Sequence, residues 1–396
     1  MPNPASSPEP SAARPRRRRW LTPRALRGAL VLLALALFAR TLLRADLHGV
    51  LACLCALGPS VLVVMLPYAA LLLCETTGWQ QLFRLVGARV RLLPLLSVRA
   101  TSTGVSAMLP AGAIAAEGLK PLLVTRATGL PPAPTTATLA GCKAMLMSTQ
   151  SLYLGAVTLA AWPTIAAASA QLGFGRTLPY VFVGASVLLM IVAVSFVLLV
   201  SRAEVAHRFF HALSALPIRP LRAYLEARRT AFLATDAHLV RLFSARPIEL
   251  ARAAAPYLAS WFCEALESYV ILRLLGVRLG FFEVAALDAS VSLLRSLAFA
   301  LPSGLGVTDA AYVAMLGAFG VPDPAVHGAA FVLLKRGKEL LWVGGGLSLL
   351  LFARKRTAPR PARIKVALPA RIEVARPARI EVARMELEAR EAVPDA

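Results

Sequence analysis

Long apolar runs, separated by short basic clusters, make up most of the chain. A run of about 20 apolar residues can cross a bilayer core of roughly 30 Å as one helix. The pattern predicts six such spans, at residues 25–43, 50–75, 135–162, 178–200, 250–275 and 325–352. We therefore expect an all-α, polytopic integral membrane protein.

Two further apolar segments, residues 98–125 and 283–322, are interrupted by proline and glycine. A broken helix within a membrane leaves backbone groups that only a protein-lined or wet cavity can satisfy. The breaks are expected around Pro110, Gly112, Pro302, Gly304 and Gly306. We interpret both segments as re-entrant hairpins.

The two broken segments share a spacing, which indicates an internal repeat. Four features of residues 109–143 recur 192 residues later, in residues 301–335. The matching pairs are Leu109-Pro110 with Leu301-Pro302, Gly112 with Gly304, Glu117 with Asp309, and Lys143 with Lys335. Paired interrupted segments mark the binding site of many secondary transporters. We assign repeat one to residues 47–162 and repeat two to residues 249–353.

The basic clusters predict the orientation of the spans, because cytoplasmic loops carry an excess of Lys and Arg. They place both termini in the cytoplasm, with the first hairpin opening from that side and the second from outside. The repeats would then be inverted. A cleaved secretory signal is the alternative for residues 25–43, although Phe38-Ala39-Arg40 is a poor cleavage context.

The remaining segments are polar. Residues 1–23 are expected to be a disordered basic N-terminus, followed by the membrane domain at 24–356. Residues 202–248 alternate arginine with aromatic and aliphatic residues, which favours amphipathic helices on the anionic inner leaflet; a solvated linker is the alternative. Residues 357–396 repeat with a period of eight and form a low-complexity cationic tail, to which no catalysis is assigned.

Composition narrows the classes of function. The chain is 58% hydrophobic and 16% charged, as a polytopic membrane protein requires, and its net charge of +22 is concentrated beside the spans. Membrane-surface contact is therefore expected rather than nucleic-acid binding. Five scattered cysteines and five scattered histidines show no ligand spacing, so we expect no disulfide framework, metal or cofactor.

Acidic residues inside the broken segments are the sharpest candidates for a site. Glu117 and Asp309 each follow a break, and a carboxylate in apolar surroundings is costly unless it faces a partner or cavity. Lys120 lies three residues after Glu117 on the same helical face. The candidate partners of Asp309 are Lys335, Arg336 and Arg295. A simple cap at a helix N-terminus is the alternative role for both acids, and it is compatible with the first.

Charges in the later spans complete the candidate set. Lys335, Arg336, Lys338 and Glu339 lie early in the last span, where a wet interior explains them better than packing. Glu264 and Glu267 share one face of the fifth span, and we expect them to pair with Arg295 or Lys143 rather than bind a metal. The candidate substrate-binding residues are Glu117, Lys120, Lys143, Glu264, Glu267, Asp309, Lys335, Arg336, Lys338 and Glu339.

The segments LPAGAIAAEGLKPLLVTRATGLP and LPSGLGVTDAAYVAMLGAFGVP, followed by LLKRGKELLW, resemble the lysylphosphatidylglycerol synthase transmembrane-domain (flippase-like) family. The resemblance covers roughly residues 28–352 and is closest to hopanoid-associated membrane proteins. The positions that match are Glu117, Lys120, Asp309, Lys335, Arg336 and Glu339. Lys120 and Asp309 depart from the family's more common Arg and Glu.

The resemblance implies movement or presentation of lipids in a bacterial cytoplasmic membrane. We expect a flippase-like protein that binds an amphipathic lipid, whether an anionic phospholipid, a hopanoid or an isoprenoid-linked lipid. Two alternatives stay open, namely a membrane-embedded transferase and a non-catalytic scaffold. No soluble transferase domain follows Phe352, so a synthase activity is not implied.

Overall fold

A computed structural model describes residues 57–108, 112–201, 229–297 and 307–353, together with Cys55. All the regular structure in these ranges is helical, which confirms the all-α prediction there. A short 3-10 helix, Gly58–Val64, leads into the first α-helix. The α-helices of these ranges are α1 (Met65–Leu85), α2 (Leu92–Met108), α3 (Gly112–Thr128), α4 (Pro132–Ala160), α5 (Trp162–Gln171), α6 (Leu178–Ser201), α7 (Arg229–Phe243), α8 (Pro247–Leu274), α9 (Phe281–Leu297), α10 (Val307–Ala318) and α11 (Pro324–Ala353).

Each broken segment is described as two helices separated by residues that the structure does not describe. The first segment forms α2 and α3, with Gly112 beginning α3, and the second forms α9 and α10. Pro110, Pro302, Gly304 and Gly306 lie outside the described residues.

The long helix that follows each broken segment begins at a proline. Pro132 begins α4 and Pro324 begins α11, where the missing N–H and fixed φ of proline suit a first helical turn. These prolines are 192 residues apart, as are Glu117 and Asp309. The offset found in the sequence therefore also relates the helices.

Two helices of the described part are long and apolar enough to cross a membrane, Gly58–Leu85 and Leu178–Ser201. A third candidate is the pair Pro132–Ala160 and Trp162–Gln171, which is bent by 83° at its break. Helices α8 and α11 have 28 and 30 residues, which is also long enough, but they carry several charges. The count of six spans stays a prediction, and its first member, residues 25–43, lies outside the described residues.

The two halves of the chain pack against each other through a shared core. Helix α1 packs along α8, and Gly78 lets the Tyr257 ring approach so closely that a Cβ at Gly78 would lie 2.5 Å from it. Helix α2 packs along α11, and α9 packs against α4. In the proposed repeats, α2 corresponds to α9 and α4 to α11, so both contacts join equivalent helices. The contact of α2 with α11 is much more extensive than that of α9 with α4.

The described part of the amphipathic segment differs from the expectation of a helix lying on the membrane surface. Helix α7 buries Leu239, Leu242 and Phe243, and it packs against α4, where a Cβ at Gly141 would lie 2.5 Å from Leu242. Its apolar face therefore packs on protein. Residues 202–228 and the tail at 357–396 lie outside the described residues.

Candidate functional site

Two groups of ionic and polar side chains lie among the helices. The first cluster joins α1, α2, α3 and α4, and the second joins α8, α9, α10 and α11. The members of the first cluster are Glu75, Arg99, Glu117, Lys120 and Lys143. The members of the second cluster are Glu267, Ser268, Asp288, Thr308, Asp309, Tyr312, Lys335, Arg336 and Lys338.

In the first cluster, one carboxylate oxygen accepts hydrogen bonds from two lysines. Glu117 Oε1 accepts from Lys120 Nζ at 2.8 Å and from Lys143 Nζ at 2.7 Å. Lys120 follows Glu117 by one turn of α3, whereas Lys143 reaches it from α4. The structure therefore pairs Lys143 with Glu117, and not with Glu264 or Glu267 as the sequence suggested.

Arg99 forms an ion pair with Glu75, which joins α2 to α1. Neither residue was a candidate from the sequence, so this pair was missed. Both side chains are largely buried, at 15% and 11% exposure. One signal was available, because Glu75 and Glu267 are 192 residues apart.

In the second cluster, Asp288 accepts hydrogen bonds from three helices. Its Oδ1 accepts from Ser268 Oγ at 2.8 Å, Tyr312 OH at 2.6 Å and Lys335 Nζ at 2.9 Å. Lys335 Nζ also donates to Tyr312 OH at 2.8 Å. Asp288 was missed in the sequence because its three partners come from other helices. It gives Lys335, which is buried in α11, a partner on α9.

Asp309 pairs with Arg336, one of the three partners proposed for it. Its Oδ1 accepts from Arg336 Nη2 at 2.7 Å and Nε at 3.1 Å, and Thr308 Oγ1 also accepts from Nη2 at 3.1 Å. Asp309 lies in the first turn of α10. A carboxylate there is also favoured by the helix dipole.

Glu267 pairs with Lys338, a partner that the sequence did not suggest for it. Lys338 Nζ donates to Glu267 Oε1 at 2.5 Å and lies 3.9 Å from the centre of the Tyr68 ring. One ammonium group therefore holds α11 against α8 and α1. Glu264 is partly buried on α8, one turn before Glu267. The side chains of Glu339 and Arg295 lie outside what the structure describes.

One small cavity lies between three of the helices that carry these clusters. This cavity between α4, α8 and α9, lined by Gln150, Tyr153, Trp261 and Ser292 among others, has a volume of about 10 Å³. That is room for one water molecule and not for a lipid. Within the described ranges, no three His, Cys, Asp or Glu side chains are placed to hold a metal ion. The arrangement offers fixed cations and anions in apolar surroundings, which suits binding of a charged headgroup.

Comparison with known proteins gives one finding. The profile of a family described as Lysylphosphatidylglycerol synthase TM region matches residues 25–345. Every residue of both clusters falls within that range. A search of curated proteins found no match to the chain.

Proposed function

The chain belongs to the lysylphosphatidylglycerol synthase transmembrane region family, and from this premise we propose that it binds an amphipathic lipid between two inverted repeats and aids its movement between leaflets. Membership of the family supports a membrane protein related to lipid handling. The proposed lipids are an anionic phospholipid, a hopanoid or an isoprenoid-linked lipid. The proposed location is the bacterial cytoplasmic membrane, with both termini in the cytoplasm.

The observation that carries the proposal is an ion pair of the same kind in each half. Glu117 pairs with Lys143 and Asp309 with Arg336, so in both halves the acid after the broken segment reaches a cation on the next long helix. The two cations are one position out of register, because the counterpart of Lys143 is Lys335. Charges within apolar helices are costly, and they commonly mark substrate pathways. A lipid can place its charged headgroup in such a site while its acyl chains stay in the bilayer. There the headgroup can replace one member of an ion pair of the protein.

The inverted arrangement has two supports. Helices α2 and α9 each pack against the long helix of the opposite half, as two-fold related units do. The distribution of basic residues favours opposite orientations in the membrane. Transporters built in this way bind substrate where the repeats meet and expose it alternately to the two sides.

The proposal is tested by reconstituting the full chain in vesicles that each contain one fluorescent lipid class, with bleaching of the outer leaflet as the readout. We expect faster transbilayer exchange than in protein-free vesicles for at least one class. Equal exchange rates with and without protein for every class would overturn the proposal. Mass spectrometry of the recovered lipids tests the transferase alternative, since that activity would leave a lipid of altered mass.

A further inference from the structure

Equivalent residues of the two clusters differ in their exposure. The Lys143 side chain is 51% exposed, whereas that of Lys335, its counterpart 192 residues later, is 11% exposed. Glu117 is 31% exposed and its counterpart Asp309 only 3%. Both differences have the same sign. We therefore call the first cluster open at its Lys143–Glu117 pair, although its other members are largely buried, and we call the second cluster closed.

The helices that α4 and α11 contact also differ between the two halves. Helix α4 packs along α8, whereas its counterpart α11 packs mainly along α2. Lys335 is covered by the side chains to which it donates, Asp288 and Tyr312, and its Nζ lies 5.4 Å from the centre of the Phe331 ring. Lys143 contacts Glu117 and leaves half of its side chain exposed. The two halves therefore adopt different conformations of a similar plan.

The open cluster carries one more cation than anion among its described members. Glu75 and Glu117 face Arg99, Lys120 and Lys143, and both lysines share the same oxygen of Glu117. A phosphodiester carries one negative charge and oxygens that accept charge-assisted hydrogen bonds. Such a group neutralises the surplus, whereas a neutral lipid does not.

On the premise of the proposed function, we infer that the first cluster is the docking site of a lipid phosphate headgroup in this conformation. In the opposite conformation Lys335 is exposed to the headgroup and Lys143 is covered. Two inverted repeats can exchange their conformations, so that the exposed half becomes covered and the covered half becomes exposed. Lys143 and Lys335 would then be exposed in turn. The same phosphate thus passes from the Lys143 position to the Lys335 position.

The test measures the accessibility of the two positions by thiol labelling. The full chain, with its five native cysteines replaced by alanine, receives Lys143→Cys, Lys335→Cys or, as an exposed control, Arg176→Cys. In phosphatidylcholine vesicles we expect Lys143→Cys to react with a charged methanethiosulfonate faster than Lys335→Cys, by about fivefold if rates follow exposure. Arg99 and Lys120 remain in the Lys143→Cys variant, so phosphatidylglycerol at a mole fraction high enough to fill the weakened site should slow its labelling. It should quicken labelling of Lys335→Cys and leave the control unchanged.

Equal labelling of the two lysine positions, or no response of either to phosphatidylglycerol, would overturn the inference. Protection of Lys143→Cys by a neutral lipid such as a hopanoid, and not by phosphatidylglycerol, would overturn the phosphate assignment. Exchange of fluorescent lipid is measured on the same vesicles. Exchange without the labelling asymmetry refutes the inference alone, whereas no exchange of any lipid class refutes the proposed function.

A rescue experiment separates charge from folding at position 143. Loss of one charged hydrogen bond should lower the affinity of Lys143→Cys for phosphatidylglycerol about tenfold. Aminoethyl methanethiosulfonate attaches an ammonium group to the cysteine and should restore exchange, whereas the uncharged methyl reagent should not. Recovery of lipid exchange with both reagents counts against the docking site. So does recovery with neither reagent, provided that the variant elutes from size exclusion as the parent does.

Discussion

Glu267 and Lys338 form the most deeply buried ion pair of the second cluster, and the variants Glu267→Gln and Lys338→Met separate its effects. Their side chains are 2% and 6% exposed, and the joining distance is 2.5 Å. Either substitution leaves one buried charge without its counter-ion. Each should therefore destabilise the protein, through unpaired charge rather than through lost volume.

The expected loss of unfolding free energy follows from the burial of the two side chains. Removing one partner of a buried pair costs about 3–5 kcal/mol, and Lys338→Met also loses an interaction with the Tyr68 ring of about 0.5–2 kcal/mol. The double variant leaves no unpaired charge, so it should cost less than the sum of the single variants by about 2 kcal/mol or more. The half-exposed pair Glu117–Lys143 is the matched control, for which Glu117→Gln and Lys143→Met should show a coupling of about 0–1 kcal/mol.

The assay is reversible unfolding of the full chain in mixed micelles by sodium dodecyl sulfate, followed by tryptophan fluorescence. A complete double-mutant cycle is measured for each of the two pairs. If the effects of Glu267→Gln and Lys338→Met simply add, to within about 0.5 kcal/mol, the reasoning from burial is refuted.

Two further predictions concern α10, α11 and the Asp288 network. A Cβ at Gly328 would lie 2.8 Å from Val313 Cγ2, so Gly328→Ala should destabilise the protein by about 1–3 kcal/mol. A Cβ at Gly337 would meet nothing within 4 Å, so Gly337→Ala should be neutral or slightly stabilising. Thermal unfolding in detergent measures both variants, and equal midpoints would contradict the close packing at Gly328. Asp288→Asn should strongly reduce lipid exchange in vesicles because it leaves the Lys335 ammonium buried without its carboxylate, whereas wild-type exchange at a normal level of folded protein would refute a role for this carboxylate.

Some helices were predictable from the sequence because they depend on local patterns. Residues 178–200 were predicted as a span and form Leu178–Ser201. Proline alone did not mark the helix ends, since Pro121 and Pro256 lie inside helices. The short helix α5 was missed, because its apolar residues continue the pattern of α4 through a bend of 83°.

The ionic partners were harder to predict because they depend on tertiary packing. Lys120 could be matched to Glu117 from helical spacing alone, and the structure brings the two together. Asp288 and Arg99 were missed, since the ionic partner of each comes from another helix. A constant offset between halves finds equivalent positions, but it does not say which residues touch.

In the proposed mechanism, Lys143 and Lys335 occupy equivalent positions in the two halves and contact the same lipid in turn. The most direct test compares transbilayer exchange of fluorescent phosphatidylglycerol by the full chain carrying Lys143→Met, Lys335→Met or, as a control, Arg176→Met. The account predicts that each lysine variant loses most of the exchange of the parent while the control keeps it. Undiminished exchange by either lysine variant would contradict the claim.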